Sequence, residues 1–202
     1  MKVAVLGAGG KAGKELVAEL RRRGHEVIAA GRSAGNLPTG EGIETRVADL
    51  EDADALAKAV DGAEAVISAL TFNVTANTIF EGMKKVGIKR LIVIGGASSL
   101  RMPDGTRIYD TPGYPNALAR LVLPGIHHLD WMKLELDINW SYFSPGRILF
   151  EGERLGKFRL GTEDLIMDEN GEARISYADA AIAMVDELEQ NNHPFSRWHA
   201  SY

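Results

Sequence analysis

The chain has 202 residues, 45% hydrophobic and 25% charged, a balance ordinary for a soluble globular protein with one sizeable core. A net charge of −5 argues against a nucleic-acid partner, and the absence of cysteine excludes disulfides, thiolate catalysis and cysteine-ligated metal. No apolar run approaches the roughly 20 residues of a membrane span, and no basic segment precedes the first apolar run, so we expect a cytoplasmic protein without a membrane partner.

In chain order, Lys2 to Leu6 is apolar and β-leaning, and Gly7-Ala8-Gly9-Gly10-Lys11-Ala12-Gly13 runs from it into an amphipathic helix carrying Leu16, Val17 and Leu20. Strand, glycine turn and helix in that order form a phosphate cradle. Gly7 suits the tight turn, Gly10 lets backbone approach a pyrophosphate, and Gly13 lets the helix sit close to the sheet. The basic run Arg21-Arg22-Arg23 falls in the last turn of that helix and reads as a solvated face complementing the dipole.

Further β-type runs at 26–31, 43–48, 64–69, 89–95 and 139–144 alternate with helical patterns over Glu51 to Val60 and Asn73 to Val86. Continuous apolar runs such as Leu91-Ile92-Val93-Ile94 suit strands buried on both faces. The expected fold is therefore α/β, a Rossmann-type doubly wound parallel sheet of order 3-2-1-4-5-6. Residues 101–116, rich in proline and glycine, read as a loop on the ligand edge. Beyond residue 145 we expect a hairpin-like pair around Lys157–Gly161 and Ala173–Ile175, a helix from Tyr177 to Glu189, and a closing strand near Trp198. One domain spans 1–202, with its core over about 1–145 and a small substrate-side appendage over 146–202.

The choice of dinucleotide is made after the second strand, where Gly31-Arg32-Ser33 stands in place of the carboxylate that holds a ribose diol. A guanidinium and a hydroxyl suit a 2′-phosphate, which favours NADP over NAD. Asp49 and Leu50 would sit beside the adenine. Ser68, Ala69 and Leu70 would lie beneath the ribose. The five histidines show no metal-ligand spacing, so no metal is expected.

Taken in order, Gly7 to Gly13, Gly31-Arg32-Ser33, Asp49-Leu50, Gly95-Gly96-Ala97-Ser98-Ser99-Leu100, Trp140 to Pro145, Glu151-Gly152-Glu153-Arg154 and Ile175 to Asp179 resemble the "putative NADH-flavin reductase" family. That family belongs to the atypical short-chain dehydrogenase/reductases, near the NmrA-like proteins and biliverdin reductase B. The resemblance covers nearly the whole chain. It implies an NAD(P)-binding fold, with Gly96, Ala97 and Pro145 toward the nicotinamide.

One departure shapes the expected chemistry. Short-chain dehydrogenases commonly use a tyrosine four residues before a lysine, and no lysine here has one. A flavin or quinone needs less help than a simple carbonyl, since it takes hydride at an electrophilic ring atom and its proton can come from water. We therefore expect an NADPH-dependent reductase of a flat conjugated acceptor. Ser98, Ser99 and Tyr114 are the candidate catalytic residues, a small-molecule acceptor is the partner, and the assembly is a monomer or homodimer. The alternative is an NmrA-like NADP-binding redox sensor that acts on a protein partner without turnover.

Overall fold

The computed structural model describes residues 1–202. Its first unit is β1 (Lys2–Leu6), α1 (Lys11–Arg22) and β2 (Glu26–Gly31), followed by β3 (Ile43–Val47), α2 (Ala53–Val60), β4 (Ala65–Ser68), α3 (Ala76–Lys85) and β5 (Arg90–Ile94). Then come α4 (Asn116–Met132), β6 (Asn139–Pro145), β7 (Ile148–Phe150), β8 (Arg159–Gly161), β9 (Arg174–Ser176), α5 (Tyr177–Gln190) and β10 (Ser196–Ser201). The main sheet has eight strands in the order β3-β2-β1-β4-β5-β6-β10-β8, and β10 pairs antiparallel only with β8. This is the expected α/β Rossmann-type order, extended by two strands.

Alternation along the strands divides the core between the two faces of the sheet. Val3 and Val5 of β1 pack with Leu16 and Leu20 of α1 and Met184 of α5, while Ala4 and Leu6 pack with Leu56 of α2 and Ile79 of α3. Side-chain caps start three of the helices. Asp52 accepts from Ala55 N at 2.7 Å, Thr75 from Thr78 N at 3.1 Å, and Ser176 from Asp179 N at 3.0 Å. No helix is long and apolar enough to cross a membrane.

Two sequence expectations change, and one helix had no counterpart among them. Asn116–Met132 forms the 17-residue helix α4, which continues through Pro124. The expected hairpin does not form: β8 pairs with β10, and β9 pairs in parallel with β7 in a separate two-stranded sheet. Both runs are only three residues long, so their partners were set by the strands they meet in space rather than by each other. The basic run of α1 is not a solvated face either. Arg23 bonds Glu19 at 2.8 Å and reaches Asp186 and Glu189 of α5 at 2.7 and 2.8 Å, joining the two helices.

Candidate functional site

The turn after β1 is held by two backbone bonds, Gly7 N and Ala8 N both donating to the Ala30 carbonyl at 2.9 and 3.1 Å. Gly7 has φ +77°, and a Cβ there would stand 2.8 Å from the Ala69 carbonyl oxygen. At Gly13 a Cβ would collide with the Gly7 carbonyl oxygen and stand 2.7 Å from Ala8 Cα, so helix and turn meet backbone to backbone. Gly10 differs. It caps α1 without a side chain, and a Cβ there would meet only the Gly7 oxygen, at 3.4 Å. No acidic residue occupies the first turn of α1. The helix therefore presents an open, positive N-terminus at which the backbone can receive an anion.

That terminus opens on a cleft of about 340 Å³, a volume typical of small-molecule sites. It is lined by Gly7, Gly9 and Gly10 after β1, Arg32 and Ser33 after β2, and Ala69 and Leu70 after β4. Leu50 lines the same cleft, while Asp49 lines its open extension together with Arg32 and Glu51. Thr71, which follows Ser68, Ala69 and Leu70 at the end of β4, lines the cleft too, and further lining residues carry little sequence signal: Asn36 and Leu37 from the short 3₁₀ turn after β2, and Asn73 and Val74 beyond β4. Asn73 donates to Glu51, linking the segments after β4 and β3. Only Asn36 carried a sequence signal, as a polar residue in a turn close behind Arg32.

Other residues of the glycine motif act beneath the surface. Ala8 is fully buried, Ala12 packs on the core, and Ser68 is buried at the end of β4. Lys11 is exposed at the mouth of the helix terminus and pairs with Glu151 at 2.9 Å, which raises the lysine's pKa and lowers the carboxylate's. The glycine cradle and the residues after β2, β3 and β4 thus meet in one polar cleft at a helix N-terminus, an arrangement suited to a phosphate-bearing ligand.

A second cavity of about 90 Å³ lies past β5, with Phe72, Leu121 and Ile126 on its apolar side and Gly96, Ser98 and Ser99 on its polar side. Tyr142 of β6 also borders it. Its phenol donates to the Gly125 carbonyl at 3.0 Å and accepts from Gly96 N at 3.3 Å, and burial holds it protonated. Ala97 packs beside Leu100 and Ile108, and Pro145 is buried at the end of β6; neither lines the cleft of the glycine cradle. Tyr114 does not reach either cavity. It packs against Tyr109 at 5.5 Å between ring centroids, over the cluster of Leu100, Ile108, Leu165 and Ala173. His128 is buried, its ring 5.3 Å from Phe72, and burial lowers its pKa to about 4, so it is neutral at pH 7.

The sequence profile described as NAD(P)H-binding matches residues 7–191, from the first glycine of the cradle to the end of α5. The chain belongs to this NAD(P)H-binding family. Among its relatives is the uncharacterized protein YwnB of Bacillus subtilis, 33% identical over 98% of this chain and 97% of that one. A solved "putative epimerase" of Bacteroides thetaiotaomicron is 35% identical, with a TM-score of 0.92 over 100% of this chain and 96% of that chain. A "putative NADH-flavin reductase" of Streptococcus pneumoniae is 33% identical, with a TM-score of 0.86 over 100% of this chain and 99% of that chain.

Proposed function

We propose that this NAD(P)H-binding protein is a cytoplasmic NADPH-dependent reductase whose acceptor is a flat conjugated molecule such as a flavin or quinone. The observation that carries the reading is the shared cleft of Arg32, Ser33 and the glycine cradle. In this assignment residues 7–13 hold the pyrophosphate, Arg32 and Ser33 the 2′-phosphate, and Asp49 and Leu50 the adenine. Ser68, Ala69 and Leu70 lie under the ribose. Gly96 and Ala97 flank the nicotinamide, with the buried Pro145 supporting that end from within β6, and the nicotinamide when bound supplies hydride.

The chain's own part in the reaction is to position the acceptor and exclude water. Tyr142 is followed four residues later by Gly146 rather than lysine, and its proton is already given to the Gly125 carbonyl. An acceptor that takes its proton from solvent suits such a site. The name of the Streptococcus pneumoniae relative supports the flavin-type acceptor, although the donor it names is NADH.

Steady-state oxidation of NADPH and NADH against a panel of flavins, quinones and enals tests it. The expected result is turnover with flavins or quinones and a preference for NADPH. Tight NADPH binding with no turnover against any acceptor would overturn the reductase reading in favour of a redox sensor acting on a protein partner.

A further inference from the structure

Phe72 stands between the two cavities. It follows β4, and its neighbours Thr71, Asn73 and Val74 line the cofactor cleft while Phe72 itself borders the second cavity. β4 and β5 pair side by side in parallel, so the chain leaving one runs next to the chain leaving the other. Gly96, which borders the second cavity just past β5, belongs to the nicotinamide end in the assignment above. The two cavities therefore adjoin through residues 71–74.

The Phe72 ring has a prepared seat. A Cβ at Gly125 of α4 would stand 2.7 Å from Cε2 and 3.0 Å from Cζ of Phe72, so the ring rests directly on helix backbone, where any larger residue would push it away. One turn on, the buried His128 ring lies 5.3 Å from it and tilted by 57°, inside the range of favourable aromatic contact.

The helix changes character at that seat. At the helical period Leu118, Leu121 and Val122 share one face of α4 with Gly125, His128 and Leu129. From Gly125 onward this face is buried, and Leu129 packs in the core with Ile79 and Met83 of α3. Before Gly125 it is uncovered, with Leu118 46% and Leu121 72% exposed. Leu121 and Val122 border the second cavity, so the apolar face overhangs it where the protein supplies nothing to pack against.

The cavity measures about 90 Å³, the space of about three waters at ~30 Å³ each, which takes the edge of a flat ring rather than a whole ring system. What can use such a site depends on where the reducible ring lies in the acceptor. In 1,4-naphthoquinone that ring is at one end and has a free edge. In a flavin it is the middle one of three, so an outer ring must enter ahead of it.

We propose that Phe72 determines acceptor specificity: seated on Gly125, it limits the depth of the second cavity, so that a quinone with an unfused edge is admitted and a tricyclic flavin is held out. This rests on the reductase reading above and narrows it. The part of the quinone left outside the cavity lies along Leu118 and Leu121, the uncovered face of α4. Either acceptor would gain hydride from NADPH and one solvent proton, and the selection between them is by shape.

The test uses the full chain with NADPH, 1,4-naphthoquinone and riboflavin. In the parent, kcat/KM for naphthoquinone should exceed that for riboflavin by about tenfold or more, and Phe72→Ala should cut this ratio about tenfold, chiefly by lowering KM for riboflavin. Calorimetric titration of riboflavin into the NADP⁺ complex supplies a readout apart from turnover, and Phe72→Ala should tighten that Kd by about tenfold. If Phe72→Ala fails to fold, Phe72→Leu still fills the seat with a shorter side chain and should move the ratio in the same direction by about threefold. A ratio unchanged in the variant that folds, or a parent that uses riboflavin as well as naphthoquinone, would overturn the assignment. Failure of the reductase reading is distinct, since the parent would then oxidise no NADPH with either acceptor.

Discussion

Arg154 reaches back to Glu19 on α1 with two bonds, Nε to Oε2 at 2.8 Å and Nη2 to Oε1 at 2.9 Å. Residues 151–158 have no regular secondary structure, and this pair straps them over the helix whose N-terminus faces the cofactor cleft. Lys11 with Glu151, and Gly156 N donating to Asp179 Oδ1 at 2.9 Å, secure the same strap. The Glu19 side chain is almost wholly buried and also bonds Arg22 and Arg23.

Acid should loosen this joint first. Hydrogen bonding from Arg154, against the opposing effect of burial, pulls the Glu19 carboxyl down to about 2. A folded-state value below the unfolded one, near 4.3, gives stability that is present above that unfolded value and lost as pH falls toward 2. Glu19→Gln should therefore cost roughly 3 kcal/mol at pH 7, as expected for removing one partner of a buried ion pair. Urea unfolding over a pH series should show parent and variant converging as the solution becomes acid.

The two glycines that end the cradle should fail in different ways. Gly10→Val leaves the fold intact, because φ is −78° and the position is open, yet its side chain fills the place of the pyrophosphate. Gly13→Val forces helix and turn apart and should unfold the chain or cost several kcal/mol. Circular dichroism with calorimetric titration of NADPH separates them. Submicromolar NADPH binding by Gly10→Val would contradict the cradle assignment.

Arg32 should set cofactor choice. Asp49 and Glu51 already stand beside it, so Arg32→Glu removes the cation proposed to pair with the 2′-phosphate and adds a third carboxylate near it. The preference for NADP(H) should narrow or invert, with NADPH affinity falling by about tenfold or more. Titration of both cofactors into parent and variant measures it. Equal affinities in the parent would remove Arg32 from the site.

Tyr114 should act through shape alone. Its phenol makes no hydrogen bond to the protein, and its ring packs on Tyr109 over the Leu100 cluster that anchors Ser99. Tyr114→Phe should change kcat by less than about twofold, while Tyr114→Ala should lower it several-fold by loosening that cluster. A thousandfold loss in Tyr114→Phe with intact NADPH binding would instead make the phenol a proton donor.

The sheet order and the cradle were legible in the sequence because each depends on a short stretch of chain. The parallel order follows from successive apolar runs, most of them joined by helical stretches, and the glycine spacing states its own backbone requirement. Helix α4 was hidden by Pro124-Gly125, which resemble a break when read locally. In three dimensions Gly125 is needed by Phe72, whose ring would stand 2.7 Å from a Cβ there. The short runs at β8 and β9 carried no preference for partners until β10 and β7 were in place.

By itself the sequence determined the β1-α1-β2 unit, since a turn, a helix start and the residue after the next strand are constrained by local backbone geometry and hydrophobic period. Only the tertiary structure decided that Arg197 meets Ser99, that Arg154 meets Glu19, and that Tyr114 faces a packed cluster instead of a cavity. Side-chain hydrogen bonds between residues distant along the chain leave no periodic trace, because each exists only once the sheet has set its strands side by side.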